Sequence, residues 1–134
     1  MTLYLDSSVL LKVYLDEPDS ATAQLVLGSD ETWVSAGITL VEVRRTLSRE
    51  YDGPELSDAR AQFQRDWENV EVVDMDRGIC ERAAELAELT GSRTLDALHL
   101  AAAHRAGAPR TTFATFDLRQ AQAARSLGWP VIGG

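Results

Sequence analysis

Residues 2–14 read TLYLDSSVLLKVY, and this stretch decides the fold. It begins with the short apolar run Leu3–Leu5, stops at Asp6, and becomes strongly apolar again after two serines. A buried strand that is followed at once by a buried helix is typical of an α/β unit. Asp6 then lies at the carboxyl end of the strand, where an aspartate ordinarily caps the helix that follows. The rest of the sequence shows whether other acids occupy equivalent positions.

The composition predicts one globular domain that covers residues 1–134. Hydrophobic residues make up 45% of the chain and charged residues 25%, a balance that argues against disorder. The net charge of −8 argues against a protein that coats nucleic acid, but it leaves room for an enzyme with a local basic patch. The single cysteine, Cys80, excludes an intramolecular disulfide, and we interpret it as a small buried thiol on a helix.

No apolar run approaches the roughly 18 to 20 residues that span a membrane, and no secretory signal is recognisable. We therefore expect a cytoplasmic protein with no membrane partner.

Short apolar segments alternate with helical patterns along the chain. The predicted strands are Leu3–Leu5, Thr32–Ser35, Val70–Val73, Thr111–Thr115 and Val131–Ile132. The predicted helices are Ser8 to about Leu15, Ser20–Leu27, Ile38–Arg49, Ser57–Trp67, Arg77–Leu89, Leu95–Ala106 and Leu118–Leu127. Each connection between strands contains helix, as parallel strands require. This order predicts an α/β fold with an open parallel sheet of about five strands and helices on both faces.

Four acidic residues lie where such a fold places its chemistry, at the carboxyl ends of strands. Asp6 ends the first predicted strand and Asp117 closely follows the fourth. Glu42 and Asp96 lie in the first turn or so of two apolar helices. Each acid also has a purely structural explanation. Asp6 and Asp117 suit helix caps, Glu42 completes a capping box with Thr39, and an acid such as Asp96 is favoured by the helix dipole.

The joint pattern favours a metal site over four separate caps. The helices that carry Glu42 and Asp96 are so apolar that they should be packed, which turns their acids toward a shared cleft. Carboxylates about 5 Å apart repel by roughly 3 kcal/mol per pair at an effective dielectric of about 20. With oxygen ligands alone and no histidine or cysteine expected nearby, the cation that relieves this repulsion should be Mg²⁺, with Mn²⁺ as the alternative.

Four motifs resemble those of PIN-domain ribonucleases, and the fit is closest to the VapC-type toxins of toxin–antitoxin pairs. They are YLDSSVLLKVY (4–14), TLVEVRRTL (39–47), TLDALHLAAA (94–103) and FATFDLRQAQAARSLG (113–128), and the resemblance extends from Leu3 to Ile132. It implies a PIN-like sheet in which the first and fourth strands lie side by side at the centre. It also implies the toxin component of a type II (VapBC) system, an Mg²⁺-dependent endoribonuclease that hydrolyses RNA phosphodiester bonds with metal-activated water.

The same resemblance assigns residues and partners. It implies that Asp6, Glu42, Asp96 and Asp117 are both the catalytic and the metal-binding residues. Ser8 and Thr115 would support the pocket. The implied partners are an RNA substrate, a VapB-type antitoxin and a second copy of the chain in a homodimer.

Basic residues near the acids are predicted to form a narrow rim that contacts RNA phosphates. They are Lys12, Arg44, Arg45 and Arg93. His99, three residues after Asp96, is expected to pack near the core rather than to bind metal. The stripe Leu56, Ala59, Phe63 and Trp67 is typical of a core-facing helix, with an antitoxin groove as the second interpretation.

Two alternatives remain at this point. A receiver-type signalling module also has an acidic Mg²⁺ pocket, but it needs a lysine after its late strand, and here the only lysine is Lys12. A non-catalytic PIN scaffold that acts through protein contacts is the second alternative, and the intact set of four acids argues against it.

Overall fold

The computed structural model describes residues 2–108 and 110–133. The strands are β1 (Thr2–Leu5), β2 (Trp33–Ala36), β3 (Val70–Val73), β4 (Thr111–Thr115) and β5 (Val131–Gly133). The helices are α1 (Ser7–Tyr14), α2 (Ser20–Gly28), α3 (Gly37–Glu50), α4 (Gly53–Trp67), α5 (Arg77–Thr90), α6 (Thr94–Arg105) and α7 (Leu118–Ser126). Every predicted strand and helix is present, and the largest difference in bounds is the start of α4.

All five strands are parallel and form one sheet in the order β3-β2-β1-β4-β5, which confirms the predicted fold class. β1 is the central strand, with Leu3 paired to Trp33 of β2 and to Thr112 of β4. The amide of Asp6 donates to the carbonyl oxygen of Ala114 (3.0 Å), so the carboxyl ends of β1 and β4 meet at one edge. This edge is the topological switch point, where open parallel sheets bind ligands.

The two faces of the sheet bury separate hydrophobic clusters. Tyr4 points into the cluster formed with α5, α6 and α7, whereas Leu3 and Leu5 point into the cluster formed with α1 to α4. This alternation follows from the period of two in a strand. It explains why β1 is apolar at every position up to Asp6.

The start of α4 and the environment of Cys80 differ from prediction. α4 begins at Gly53 rather than Ser57, because Pro54 fits the first turn of a helix, where its missing amide is not needed. The interpretation of Cys80 as a buried thiol is wrong, since Cys80 is exposed. α5 turns Ile79, Ala83 and Leu86 toward the core, which places Cys80 on its outer side.

The apolar stripe on α4 is confirmed as part of the core. Ala59 and Phe63 are buried in the cluster beneath α1 to α4, with Leu56 and Trp67 packed at its margin.

Within the described ranges, 2–108 and 110–133, no helix combines the length and apolar character needed to cross a membrane.

β5 approaches β4 very closely at its last residue. Gly133 pairs with Thr115 and has a φ of 122°, a conformation that favours glycine. A Cβ atom at this position would lie 2.3 Å from the carbonyl oxygen of Thr115. Only glycine therefore permits this pairing.

Candidate active site at the carboxyl edge of the sheet

Asp6 is a buried carboxylate that does not cap the helix it precedes. It occupies the N-cap position of α1, but its side chain makes no capping hydrogen bond and is only 6% exposed. Its Oδ2 instead accepts from Thr115 Oγ1 at 2.6 Å and from Ser8 Oγ at 3.1 Å. The capping explanation fails for Asp6, and two hydroxyl groups orient its carboxylate.

Backbone amides hold the two hydroxyl groups that face Asp6. The amide of Phe116 donates to Ser8 Oγ at 2.9 Å, and the amide of Asp117 donates to Thr115 Oγ1 at 3.0 Å. Each hydroxyl oxygen thus accepts from a backbone amide and keeps its hydrogen for Asp6. The turn after β4 therefore positions both of the residues predicted to support the pocket.

Glu42 is turned toward the sheet edge rather than toward its own helix. α3 begins at Gly37, and Thr39 is joined through its hydroxyl to Ser35, so the predicted capping box does not form. Glu42 Oε1 instead lies 2.7 Å from His99 Nε2 of α6. Because a carboxylate only accepts, the Nε2–H of His99 must donate to Glu42.

His99 lies inside the acidic site, which corrects the expectation that no histidine is nearby. It is buried, as predicted, with its ring only 1% exposed. Nδ1 is 2.8 Å from the Tyr4 hydroxyl, and Nε2 is also 3.5 Å from Asp6 Oδ1. Burial lowers the pKa of His99, but the Asp6 and Glu42 carboxylates outweigh it and hold that pKa above its ordinary value. His99 follows Asp96 by three positions on α6, so the two side chains lie on one face of the helix. This spacing could have predicted that His99 lies near the acids.

Asp96 is an acid whose ionised form is disfavoured by its surroundings. Its side chain is 23% exposed, and its Oδ2 lies 3.6 Å from the Nε of Arg93. Burial, followed by the charges of Asp117 and Asp6, raises the pKa of Asp96 above its usual value, and Arg93 only partly opposes this. The carboxylates of α6, β1 and the β4–α7 turn are therefore close enough to repel one another.

Asp117 caps α7, so the structural explanation holds for this acid. Its Oδ1 accepts from the amides of Arg119 at 2.9 Å and Gln120 at 3.2 Å. Gln120 does not return the contact as a capping box requires. Its Nε2 donates to the backbone oxygen of Asp96 at 2.9 Å, which ties α7 to α6. The other carboxylate oxygen of Asp117 makes neither of these capping bonds.

The donor set fits a hard divalent cation in chemistry, but its geometry is not assembled. In residues 2–108 and 110–133, no three His, Cys, Asp or Glu side chains are arranged to hold a metal ion. Local partners explain this difference from the predicted convergence, since His99 engages Glu42, the α7 amides engage Asp117, and Arg93 lies beside Asp96. Four carboxylates around one edge still provide the oxygen ligands that Mg²⁺ prefers.

The predicted basic rim is only partly at the site. Lys12 forms ion pairs with Glu17 and Asp19, away from the four acids. Arg44 and Arg45 are exposed on α3. Among the predicted cations, Arg93 is the one that lines the clefts beside Asp96.

Two clefts share Arg93 and Asp96. The first, called here the Glu42 cleft, has a volume of about 380 Å³ and is lined by Glu42, Arg93, Thr94, Leu95 and Asp96. The second, called here the Arg119 cleft, has a volume of about 390 Å³ and lies between the α5–α6 turn and α7. Arg119 was not predicted as a site residue, because its position depends on how α7 packs beside α6.

The sequence matches the PIN domain family over residues 3–126. The chain belongs to the PIN domain family. It is 32% identical to Ribonuclease VapC46 of Mycobacterium tuberculosis over 130 residues, covering 97% of this chain and 95% of the relative. It is 30% identical to Ribonuclease VapC47 of the same species over 133 residues, covering 95% of this chain and 93% of the relative.

Solved structures share the fold of this PIN domain. The toxin VapC20 of Mycobacterium tuberculosis, described as cleaving the sarcin–ricin loop, superposes with a TM-score of 0.74 at 19% identity, covering 90% of this chain and 94% of that one. A toxin–antitoxin complex from Klebsiella pneumoniae also gives a TM-score of 0.74, at 16% identity, covering 99% of this chain and 97% of that one. The resemblance stated from the sequence motifs is thereby confirmed at the level of the family.

Proposed function

We propose that this PIN domain is an Mg²⁺-dependent endoribonuclease and the toxin of a VapBC-type pair. The observation that carries the proposal is the Asp6 carboxylate, buried at the end of the central strand without a capping role and oriented by two hydroxyl groups. The charge of this carboxylate also contributes to the raised pKa of Asp96, a cost that an acid with a purely structural role would not need to impose. The ribonuclease names of the curated relatives support the same reaction.

Asp6, Glu42, Asp96 and Asp117 are the residues that would hold the metal. When bound, a divalent ion lowers the pKa of water and stabilises the leaving oxygen of a phosphodiester. Ser8 and Thr115 fix the direction of the Asp6 carboxylate. Glu42 or the free oxygen of Asp117 orients the attacking water, and Mn²⁺ would serve as an alternative ion.

The basic residues bind the backbone of RNA in this proposal. Arg93 lies beside Asp96 and contacts a phosphate near the scissile bond. Arg44 and Arg45 provide weaker contacts from α3, and Lys12 contributes less because Glu17 and Asp19 already neutralise it. With a net charge of −8, affinity for arbitrary RNA is expected to be weak.

A cleavage assay tests the reaction. Candidate RNAs are incubated with Mg²⁺ or Mn²⁺ and with wild type, Asp6→Asn, Asp96→Asn or the control Asp58→Asn, which alters an exposed acid of α4. We expect the first two variants to lose about 100-fold in rate, as when a transition-state contact is removed, while the control matches wild type. Equal cleavage by all four proteins would leave no role for the acids, and a non-catalytic scaffold would then be the better account.

The proposed partners are a VapB-type antitoxin and a second copy of the chain. Structural neighbours described as toxin–antitoxin complexes, including VapBC2 of Rickettsia felis bound to promoter DNA, support the first. Co-expression with a candidate VapB-type antitoxin, followed by light scattering on the purified complex, measures both. Purification as a free monomer at all concentrations would contradict them.

A further inference from the structure

The Arg119 cleft includes Asp96 in its lining, but its other residues have no role in the proposed metal site. Its lining includes Thr90, Ser92, Arg93, Asp96, Arg119 and Ser126. Its volume of about 390 Å³ lies within the range of sites for small ligands. The Glu42 cleft shares Arg93 and Asp96 with it, so the two clefts adjoin at these two residues.

Two cations line the Arg119 cleft of a strongly acidic protein. The chain carries a net charge of −8, yet Arg93 and Arg119 line this one cavity. Arg93 is 70% exposed and lies 3.6 Å from Asp96, a distance too long for a strong ion pair. Arg119 is exposed and pairs with no carboxylate in the described part of the chain. An arginine that the fold leaves without a partner is available to a phosphate.

The hydroxyl groups of the cleft present acceptors. Thr90 Oγ1 donates to the carbonyl oxygen of Leu86 at 2.8 Å, and Ser126 Oγ donates to that of Ala123 at 2.6 Å. Since the hydrogen of Thr90 is used, Ser92 Oγ must donate to Thr90 Oγ1, 2.7 Å away. All three hydroxyl hydrogens are therefore committed inside the protein. Thr90 Oγ1 also accepts from the amide of Ser92 at 3.3 Å, which uses both of its lone pairs. The hydroxyl oxygens of Ser92 and Ser126 are the ones that keep lone pairs for a ligand.

Arginine donors beside hydroxyl acceptors match the groups of a ribonucleotide. Arginine binds the phosphate, while the ribose 2′-hydroxyl and the base N–H groups donate to the hydroxyl oxygens. Gln120 fixes the width of the cleft, because its Nε2 joins the backbone of Asp96. The same bond fixes the amide orientation and leaves Oε1 as a buried acceptor that has no partner among the described residues.

We propose that the Arg119 cleft binds an unpaired ribonucleotide next to the phosphodiester that is cleaved, with Arg93 and Arg119 contacting its phosphates. This inference rests on the proposed ribonuclease function and names the part of the substrate that the site holds. The RNA strand then extends from the Glu42 cleft into the Arg119 cleft past Arg93 and Asp96, the residues that the two clefts share.

The test is equilibrium binding of a fluorescein-labelled, unstructured RNA of about 12 nucleotides, a length within the reach of one single-strand binding domain. Binding is measured in EDTA over a range of salt concentrations, so that the result does not depend on cleavage. Proteins are wild type, Arg93→Gln, Arg119→Gln, Arg119→Lys and the control Arg125→Gln. Arg125 is also exposed on α7 but does not line the cleft.

We expect Arg93→Gln and Arg119→Gln each to weaken binding about tenfold at low salt, as the loss of one charged hydrogen bond does. Each should also reduce the slope of log K against log salt by about 0.7, the value for one phosphate contact on a single strand. Arg119→Lys should keep the wild-type slope, and Arg125→Gln should match wild type. A DNA of the same sequence should bind more weakly, because it lacks the 2′-hydroxyl donors.

Wild-type slopes in both glutamine variants, or no measurable RNA binding by wild type, would overturn the assignment of the cleft even if Asp6-dependent cleavage is found. A partner protein would then be the better occupant. Conversely, if slopes change as expected while cleavage does not depend on Asp6, the proposed chemistry fails and the cleft remains an RNA site.

Discussion

At the scale of single residues, the site depends on one buried histidine that links its own helix to two other elements of the fold. His99 of α6 reaches Tyr4 on the central strand and Glu42 on α3. It donates to Glu42 in either protonation state, so it holds that carboxylate at the sheet edge. The Asp6 and Glu42 carboxylates raise its pKa against the opposing effect of burial, so protonation of His99 is favoured by these two acids.

Tyr4→Phe removes only the hydroxyl group that contacts His99. The ring should keep its stacking on Phe113, at a centroid distance of 5.3 Å. Because Nδ1 of a fully buried His99 loses its partner, we expect the free energy of unfolding to fall by about 1–3 kcal/mol in urea denaturation. The control Tyr51→Phe removes a half-buried hydroxyl and should cost less. Equal losses of unfolding free energy in the two variants would show that the Tyr4–His99 hydrogen bond contributes no more to stability than a half-buried one.

Asp96→Asn removes the carboxylate whose pKa is raised by burial and by its acidic neighbours. Without divalent ions, we expect the variant to melt at a higher temperature than wild type at pH 7.5, because the repulsion is relieved. Millimolar Mg²⁺ should raise the melting temperature of wild type and raise that of the variant less. Calorimetry with and without EDTA measures both, and a wild type indifferent to Mg²⁺ would contradict the metal site.

At the scale of elements, an exposed ion pair between Asp76 and Arg105 links α5 to α6. Asp76 is also the N-cap residue of α5. Asp76 precedes α5, accepts from the amide of Ile79 at 2.9 Å, and is bridged by both terminal nitrogens of Arg105. Arg105 and then the Ile79 amide lower the pKa of Asp76 to about 2. Since α6 carries Asp96 and His99, this link helps to set their position.

Asp76→Asn keeps the capping oxygen but removes the charge. A lowered pKa in the folded state stabilises the protein above the unfolded value of about 3.9, and this contribution disappears as pH falls toward about 2. We therefore expect the variant to melt below wild type at pH 7, with the difference closing between about pH 4 and pH 2. Arg105→Gln serves as the matched variant. A difference that stays constant with pH would rule out the ion pair as its cause.

The elements were predictable, and so was the central pairing of the first and fourth strands, but most side-chain contacts between elements were not. Val70–Val73 and Thr111–Thr115 have the predicted ends, because β-branched and aromatic runs between helical patterns mark strands. The exposure of Cys80 and the place of Arg119 in a cleft depend on how helices rotate against one another. The Glu42–His99 bond joins residues 57 positions apart, which no local pattern reveals. The four acids were identified through motifs, whereas their local hydrogen-bond partners were not.

At the scale of the whole molecule, the sheet belongs to two hydrophobic clusters at once. Trp129 is buried on the face of α5 to α7, whereas Trp33 and Trp67 pack on the face of α1 to α4. Each strand that loses its pairing exposes side chains on both faces. The two clusters should therefore unfold together, as the prediction of one domain requires.

Leu47→Ala truncates a fully buried side chain on the face of α1 to α4. We expect it to lower the free energy of unfolding by about 2–5 kcal/mol. Unfolding is followed by the fluorescence of Trp129 alone, in a background in which Trp33 and Trp67 are replaced by phenylalanine, and separately by Trp33 and Trp67. Leu47→Ala should lower the denaturation midpoint by the same amount with both probes. A Trp129 transition that does not move would mean that the two faces fold as separate units.

The close approach of Gly133 to Thr115 means that a residue on the edge strand β5 controls the geometry of the site. Any side chain at position 133 would push against the backbone of Thr115, whose hydroxyl aims the Asp6 carboxylate. Adding a methyl group at position 133 would therefore displace Thr115 and turn its hydroxyl away from Asp6. The catalytic geometry would suffer before the pairing of β5 with β4 was lost.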